Sequence, residues 1–313
     1  MNETHKLIWI SPLMPQQLLE GLFQWINLYL TQLQLKPLIS FSKMKVSYLT
    51  EPQEALKIEI DVVDLGAPHS IELLKEAIWS EVLAQSQPVP TPFAVALLPV
   101  SVCEARKRLV CFDMDSTLID QEVIDEIART ANLYKQVSEI TEAAMQGKYD
   151  FKSSLKERVK LFTGMPKAQA EAIIPHLTVS PGGEALLESL RMANVRTAVV
   201  SGGFEFILKH FQKQLFLDQV YGNVLSTDDD ERFTGELEDP IVDGEYKKKL
   251  VAKLKENYHI KKGETIVVGD GANDVSMMEE AGVSVSFCGK AKLSAQTNAL
   301  VLDRNLSWIK GFL

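Results

Sequence analysis

Four short apolar runs limit the folds open to this chain more than any other feature of its sequence. They are Leu109–Phe112, Thr197–Val200, Thr265–Val268 and Val283–Phe287. Such runs are typical of strands that are buried on both faces of a parallel sheet. Helical patterns separate them, so the sequence predicts a doubly wound α/β domain over about residues 101–313.

A long helical stretch interrupts this alternation. Residues 113–196 separate the first two runs, and the part from about Glu122 to His176 has an almost purely helical pattern. We interpret it as an inserted helical cap, over about residues 122–178, that lies above the carboxyl ends of the strands. A later segment, Tyr221–Leu237, has the pattern of a β-hairpin.

The first hundred residues have a different organisation. Their order is strand, helix, strand, strand, helix, strand, which predicts a ferredoxin-like α+β domain over residues 1–100. The segment Pro99–Lys107 is polar and is predicted to be an exposed boundary. The predicted strands are Leu7–Ile10, Ser42–Leu49, Leu56–Val63 and Phe93–Leu98, the helices are Gln16–Leu35 and Ser70–Leu83, and Gln85–Thr91 is a loop.

Composition excludes several classes of function. The chain has 33 basic and 42 acidic residues, a net charge of −9 with no long basic stripe, which argues against broad nucleic-acid binding. Three cysteines without paired spacing favour a reducing compartment over disulfides or zinc. No apolar run approaches the roughly 20 residues needed to span a bilayer, and no leader pattern is seen. We expect a cytoplasmic protein without nucleic-acid or membrane partners.

Two carboxylates, Asp113 and Asp115, follow the first buried run within the string Phe112-Asp113-Met114-Asp115-Ser116-Thr117. Ligands of α/β sheets bind just beyond the carboxyl ends of the strands. A single Asp there is more often a turn or helix-cap residue. The pair is better explained as part of a site.

A second group follows the third run, in Gly269-Asp270-Gly271-Ala272-Asn273-Asp274. A helix cap needs one of these polar residues, not all three. Oxygen ligands with no nearby His or Cys favour a hard cation, so both groups together predict a shared magnesium site.

Two further features are weak when taken alone. Ser201-Gly202-Gly203 follows the second run, where a hydroxyl and free amides at a helix start could bind an anion, although glycines there are also plain turn residues. Lys247 lies in a run of three lysines, and such runs are usually solvated faces.

At these residues the sequence resembles the haloacid dehalogenase superfamily of phosphotransferases. The four motifs of that superfamily occur in order, and the strings around Asp113, Ser201 and Asp270 resemble the phosphoserine phosphatase family more narrowly. The resemblance covers Arg108 to about Phe287. The first hundred residues resemble the ACT-like domain often fused to these enzymes, which implies regulation or a homodimer, without a specific motif.

The resemblance implies magnesium-dependent hydrolysis of O-phospho-L-serine, the last step of serine biosynthesis, through an aspartyl-phosphate. It implies that Asp113 is the nucleophile and Asp115 the general acid and base. It implies metal ligands at Asp113, Asp270 and the main-chain carbonyl of Asp115, with Asp274 holding the metal's water shell. Substrate phosphate would be bound by Ser201, Gly202, Lys247 and Asn273.

The cap would choose the substrate. Glu122 and Arg158 match the positions that bind the ammonium and the carboxylate of phosphoserine in the family, and Met145 and Phe151 match positions that close the pocket. Without the resemblance, Glu122 is more simply a first-turn residue and Arg158 part of a solvated face.

Three alternatives stay open at this stage. The chain could act on another phosphomonoester or transfer phosphate to an alcohol. It could be a binding protein that has lost turnover, although such a protein should lack Asp113 or Asp115. The N-terminal unit could sense an amino acid or form a dimer beside a working enzyme.

Overall fold

All four predicted runs are strands of one ten-stranded sheet in a computed structural model of the chain. The structure describes residues 4–12, 39–49, 55–64, 69–84 and 93–313. The strands of the sheet are β1 Thr4–Pro12, β2 Ile39–Leu49, β3 Ala55–Asp64, β4 Ala94–Pro99, β5 Leu109–Phe112, β6 Arg196–Phe204, β7 Gln219–Asn223, β10 Thr265–Gly269, β11 Val283–Phe287 and β12 Ala299–Val301. A separate hairpin pairs β8 Leu225–Thr227 with β9 Phe233–Leu237.

Six strands of the sheet run parallel, in the order β12-β11-β10-β5-β6-β7. The order reverses between β5 and β10, and a ligand crevice is expected at such a switch point. The sequence pattern predicted β5, β6, β10 and β11. It missed β12, which has only three residues, and it assigned Tyr221 to the hairpin although it belongs to β7.

Alternate residues of these strands pack on opposite faces of the sheet. On β5, Val110 and Phe112 contribute to one apolar cluster, while Leu109 and Cys111 contribute to another. All four are fully buried, with 0% exposure. The prediction of strands buried on both faces is therefore confirmed for β5.

The helices lie on both faces of the sheet and in the cap. Among the described residues, no helix has the length and apolar character needed to cross a membrane. The helices are α1 Ser70–Ala84, α2 Val100–Glu104, α3 Val123–Thr130, α4 Tyr134–Met145, α5 Phe151–Lys160, α6 Lys167–Glu171, α7 Gly183–Met192, α8 Glu205–Leu215, α9 Gly244–Tyr258, α10 Val275–Met278 and α11 Ala291–Ser294, with 3₁₀ turns at Ile174–His176, Lys262–Glu264, Ala272–Asp274 and Leu306–Phe312.

The predicted helical insertion lies between β5 and β6 and contains α3 to α6. The two segments that connect it to the sheet pair with each other. Ile119 forms an antiparallel bridge with Val179, and the amide of Asp120 donates to the carbonyl of Thr178 at 3.0 Å. The insertion is thus attached through a short two-stranded connection, as a cap over the strand ends requires.

The first four strands are antiparallel, in the order β2-β3-β1-β4. This is the order that a ferredoxin-like βαββαβ unit gives, and α1 packs its Leu74 and Ile78 against one face of it. The predicted helix Gln16–Leu35 and loop Gln85–Thr91 lie outside the described residues. The ACT-like character of this unit and its boundary at residue 100 stay predictions.

The junction between the two parts differs from the prediction. Strand β4 pairs antiparallel with β12, so the sheet is continuous. The segment Pro99–Lys107, predicted as an exposed boundary, contains α2; Ser101, Glu104 and Arg106 are exposed as predicted, but Lys107 is only 3% exposed. The ammonium group of Lys107 donates to the carbonyls of Val102 and Ala105. These two backbone carbonyls provide hydrogen-bond partners for the ammonium group of this buried lysine.

Candidate active site

Asp113 follows β5 directly, at the point where the strand order reverses. The residue is only 4% exposed. Oδ1 accepts a hydrogen bond from the amide of Met114 at 2.7 Å, and Oδ2 has a long contact of 3.4 Å with the side-chain amide nitrogen of Asn273. The chain then turns sharply through Ser116, whose φ of 55° lies in the left-handed region. Asp113 is therefore held in one orientation, with Oδ2 weakly bound.

Lys247 forms the floor of this site. It lies in the first turn of α9, whose start is capped by Asp243, and it is completely buried. Its Nζ lies 2.8 Å from Oδ1 of Asp113 and 2.8 Å from Oδ1 of Asp274. Burial alone would lower the pKa of this ammonium, but the two carboxylates outweigh burial and raise the pKa. Lys247 is thus a permanent buried positive charge.

Asp274 organises the loop after β10. Its Oδ2 accepts hydrogen bonds from the amides of Asp270 at 3.2 Å and Gly271 at 3.1 Å, while its Oδ1 binds Lys247. A Cβ at position 269 would lie only 2.4 Å from Oδ2 of Asp274, so this approach requires Gly269. Both carboxylate oxygens are engaged, which fits a residue that orients the site.

The carboxylates of Asp113, Asp270 and Asp274 form an acidic cluster. One oxygen of each lies within 4.8 Å of the others. Burial, followed by the negative charge of Asp113, raises the pKa of Asp270 to about 6. Carboxylates this close repel one another unless a cation lies between them, and oxygen donors suit a hard divalent cation. The cluster therefore fits a metal site of the predicted kind. A carbonyl ligand from Asp115 stays a prediction.

Asp115 lies beside this cluster. Burial raises the pKa of its carboxyl well above the ordinary value, and the negative charges of Glu122 and Asp113 raise it further. Its Oδ1 has no hydrogen-bond partner among the described residues. A carboxyl group in such surroundings favours its protonated form and can deliver a proton.

Ser201 and Gly202 lie in the last part of β6, next to Gly203, where a Cβ would lie 3.5 Å from Oδ2 of Asp115. The Oγ of Ser201 accepts a hydrogen bond from the amide of Gly203 at 2.9 Å, which leaves its hydroxyl proton available. A Cβ at position 202 would lie 2.7 Å from Cζ of Phe151, the first residue of α5. Phe151 of the cap therefore lies directly over Gly202, and a side chain at position 202 would collide with its ring.

A cavity of about 250 Å³ lies between cap and strand ends. Glu122 at its wall accepts a hydrogen bond from Ser116 Oγ at 2.8 Å. The Nε of Arg158 donates to the carbonyl of Ser154 at 3.3 Å, and within the described ranges no carboxylate forms an ion pair with its guanidinium. Residues at the cavity wall include Asp113, Asp115, Glu122, Phe151, Arg158, Ser201, Gly202, Asp270, Asn273 and Lys290. Groups of both signs thus face one cavity.

Most of the residues singled out from sequence meet here. Lys247 and Asp274 lie directly beneath the cavity, through their bonds to Asp113 and the Asp270 loop. Met145, at the end of α4, is 73% exposed and does not line the cavity. Its predicted part in closing the pocket is not seen in this arrangement of the cap, because its side chain points to solvent. The others all line the cavity, and they are Asp113, Asp115, Glu122, Phe151, Arg158, Ser201, Gly202, Asp270 and Asn273.

Comparison with known proteins decides the family. A model of the haloacid dehalogenase-like hydrolases matches residues 107–282. A phosphoserine phosphatase of Methanocaldococcus jannaschii is 36% identical over 210 residues, which cover 67% of this chain and 99% of that protein. The chain belongs to the phosphoserine phosphatase family of haloacid dehalogenase-like hydrolases. It is an enzyme, a phosphatase.

Two solved structures resemble the phosphatase over different lengths. A HAD family hydrolase from Salmonella enterica serovar Typhi has a TM-score of 0.78 at 25% identity and covers 98% of both chains. A phosphoserine phosphatase solved as an analogue of its phospho-aspartyl intermediate has a TM-score of 0.63 at 36% identity, over 66% of this chain and 99% of that one. The first resemblance extends through the N-terminal strands, and the second is limited to about two thirds of the phosphatase.

One charged residue of the cavity wall, Lys290, was not predicted from the sequence. It lies beyond the residues that the family model matches. Lys290 lies three residues after the end of the fourth apolar run. Because the carboxyl ends of parallel strands meet at one edge of the sheet, this position could have indicated that Lys290 lies near the site. A lone lysine is usually a surface residue, so only the position of Lys290 after a buried strand could have indicated that it belongs to the site.

Proposed function

We propose that this phosphatase hydrolyses O-phospho-L-serine to serine and phosphate, through a covalent phosphate on Asp113. The observation that supports this most is one cavity that combines a buried nucleophile with charged groups of both signs on the cap, Glu122 and Arg158. Phosphoserine carries an ammonium and a carboxylate besides its phosphate. The relatives named phosphoserine phosphatase make the same substrate the first choice.

In the first step an oxygen of Asp113 attacks phosphorus, and the bond from phosphorus to the seryl oxygen breaks. Asp is ionised at neutral pH and needs no prior deprotonation. Oδ2 is the better placed oxygen, because Oδ1 is bound by Lys247 and by the Met114 amide. The ammonium of Lys247 lowers the repulsion between the carboxylate and the phosphate dianion.

Asp115 gives its proton to the departing seryl oxygen. In the second step it takes a proton from water as the water oxygen attacks phosphorus, and the bond to Asp113 breaks to release phosphate. The raised pKa of Asp115 suits this double duty. Ser201 and the amide of Gly202 would hydrogen-bond the phosphoryl oxygens while charge spreads over them.

We propose that a magnesium ion is bound by Asp113, Asp270 and the carbonyl of Asp115, with Asp274 orienting this group. When bound, it would neutralise negative charge at the phosphoryl oxygens. The oxygen-only donors and their mutual repulsion support this choice.

Magnesium should stabilise the phosphatase as well as activate it. At a concentration one hundred times the Kd, linkage adds about 2.7 kcal/mol to the free energy of unfolding, so the melting temperature should rise and chelation should abolish turnover. Asp270→Asn should lose this thermal response, and the exposed Asp229→Asn should keep it. An unchanged melting temperature in saturating magnesium, with full activity in chelator, would contradict the proposal.

The assignment of the substrate is tested with a panel of phosphomonoesters. Purified protein is assayed with phosphoserine, phosphothreonine and several sugar phosphates, with and without magnesium. Phosphoserine should have the highest kcat/KM, and adding an alcohol should not divert phosphate from water. A sugar phosphate that exceeds phosphoserine would show that the substrate is a different one.

Arg158→Ala should reduce kcat/KM for phosphoserine by about 10²-fold but leave p-nitrophenyl phosphate within a few fold, because only phosphoserine has a carboxylate for the guanidinium. The matched control is Lys156, which lies on the exposed side of the same helix, α5. Lys156→Ala should affect neither substrate. Equal losses on both substrates in Arg158→Ala would mean that Arg158 does not bind the substrate carboxylate.

We further propose a place in serine biosynthesis, a cytoplasmic location, and regulation or dimerisation through the N-terminal unit. The substrate supports the first of these. Gel filtration with and without serine tests the last, since a serine-dependent change in elution would identify both an effector and a change of assembly.

A further inference from the structure

We propose that Lys290 is an additional substrate-binding residue, which attracts the phosphate group of the substrate into the cavity from the Asp270 side. This inference rests on the proposed function in one respect, since it takes a phosphomonoester as the ligand. It assigns a role to the charged cavity residue that the proposed mechanism leaves unused.

The turn that carries Lys290 is held tightly against the acidic loop. The amide of Lys290 donates to the carbonyl of Asp270 at 2.9 Å, and the amide of Cys288 donates to the carbonyl of Val301 at 2.8 Å. A Cβ at Gly289 would lie 2.2 Å from Oγ of Ser286 and 3.0 Å from the Asp270 carbonyl. The backbone therefore approaches the Asp270 loop as closely as glycine allows.

Cys288 is strained in this turn. Its φ of 45° lies in the left-handed region, which is unfavourable for a residue with a side chain. Strained residues persist where the surrounding structure fixes them, and they are common at ligand sites. Here the left-handed conformation of Cys288 and the close contact of the turn with the Asp270 loop together place residue 290 at the cavity wall.

Of the two positively charged residues at the cavity wall, Lys290 is the one without a role in the proposed mechanism. Four carboxylates line the wall, from Asp113, Asp115, Glu122 and Asp270, against two cations, Arg158 and Lys290. Arg158 lies among the cap carboxylates of Asp125 and Glu122, and Lys247 is bound to Asp113 and Asp274. In the described part of the chain no ion pair within 4.0 Å engages Lys290.

The position of Lys290 selects the phosphate end of the substrate. Its turn contacts the loop of Asp270, next to the nucleophile, whereas the groups that suit an amino acid lie on the cap. A long, exposed lysine at the wall raises the local concentration of a dianion and contributes a hydrogen bond on arrival. Lys290 therefore acts on any phosphomonoester that reaches Asp113.

The test compares Lys290→Gln with Lys292→Gln. Lys292 is also exposed, lies only two positions further along the chain and does not line the cavity, so both variants change net charge equally. In Lys290→Gln, kcat/KM should fall about tenfold, mainly through KM, for both phosphoserine and p-nitrophenyl phosphate. Its dependence on ionic strength should weaken, and the inhibition constant of inorganic phosphate should rise. Lys290→Arg should retain most activity.

Several outcomes would overturn the proposal. It falls if Lys290→Gln leaves KM and phosphate inhibition unchanged, or if Lys292→Gln has the same effect. A loss confined to phosphoserine would assign Lys290 to the substrate carboxylate instead. If the unmodified enzyme hydrolyses p-nitrophenyl phosphate but not phosphoserine, the proposed function fails, while the test of Lys290 with p-nitrophenyl phosphate and inorganic phosphate still stands.

Discussion

Asp113→Asn is expected to lower the turnover of phosphoserine by at least about 10⁴-fold while the fold is retained. The amide is a much weaker nucleophile than the carboxylate and cannot form the covalent phosphate. It has the same shape, and its oxygen can still accept the hydrogen bond from Met114. The circular dichroism spectrum should therefore be unchanged, and substrate binding should persist without turnover.

The covalent step is checked on the same variant. Borohydride converts an acyl phosphate to an alcohol, so enzyme treated during turnover should yield a peptide with homoserine at position 113, and the variant should not. Asp230→Asn, the same change on an exposed loop, should keep full activity. If Asp113→Asn kept activity within tenfold, or if the label appeared at Asp115, the assignment of the nucleophile would be wrong.

Lys247→Met is expected to lower the free energy of unfolding by about 3–5 kcal/mol and turnover by about 10²- to 10³-fold. The variant leaves the carboxylates of Asp113 and Asp274 buried without their shared ammonium. Removing one partner from a buried charge group costs more than the group itself contributes, because the remaining charges have lost their solvent. Urea unfolding without divalent metal measures the loss.

The neighbouring lysine provides the control. Lys248 pairs with Glu279 at the surface, where solvent screens the interaction, so Lys248→Met should change stability little. The double variant with Lys247→Met and Asp113→Asn should be more stable than Lys247→Met alone, because one unpaired charge is removed. Equal stability of the two single lysine variants would show that Lys247 does not compensate a buried charge.

These two lysines show what the sequence could predict. Lys247 shares a helix face with Leu250, Val251 and Leu254, all buried, so helical periodicity places it inward and Lys248 outward. The inward position of Lys247 was not predicted, because a run of three lysines is usually a solvated face. The buried strands were enough to bring Asp113 and Asp270 to one place, whereas Lys247 was assigned to the site only through the family resemblance.

What the sequence did not predict depends on contacts between distant segments. The pairing of β4 with β12 joins residues about two hundred positions apart, and β12 is too short to have a pattern of its own. The burial of Lys107 depends on carbonyl groups that only the folded turn presents. The outward direction of Met145 depends on how the cap is placed, which its local sequence does not encode.

The antiparallel pairing of β4 with β12 determines whether an enzyme without the N-terminal strands would have an exposed sheet edge. Removing everything before residue 100 would uncover the hydrogen-bonding groups of β12 and the apolar side chains that Ala94 and Ala96 cover. An open strand edge of this kind recruits strands from other molecules. The N-terminal strands therefore cover the edge of the catalytic sheet, whatever else they bind. A minimal catalytic fragment would need another segment over the edge of β12 to stay monomeric.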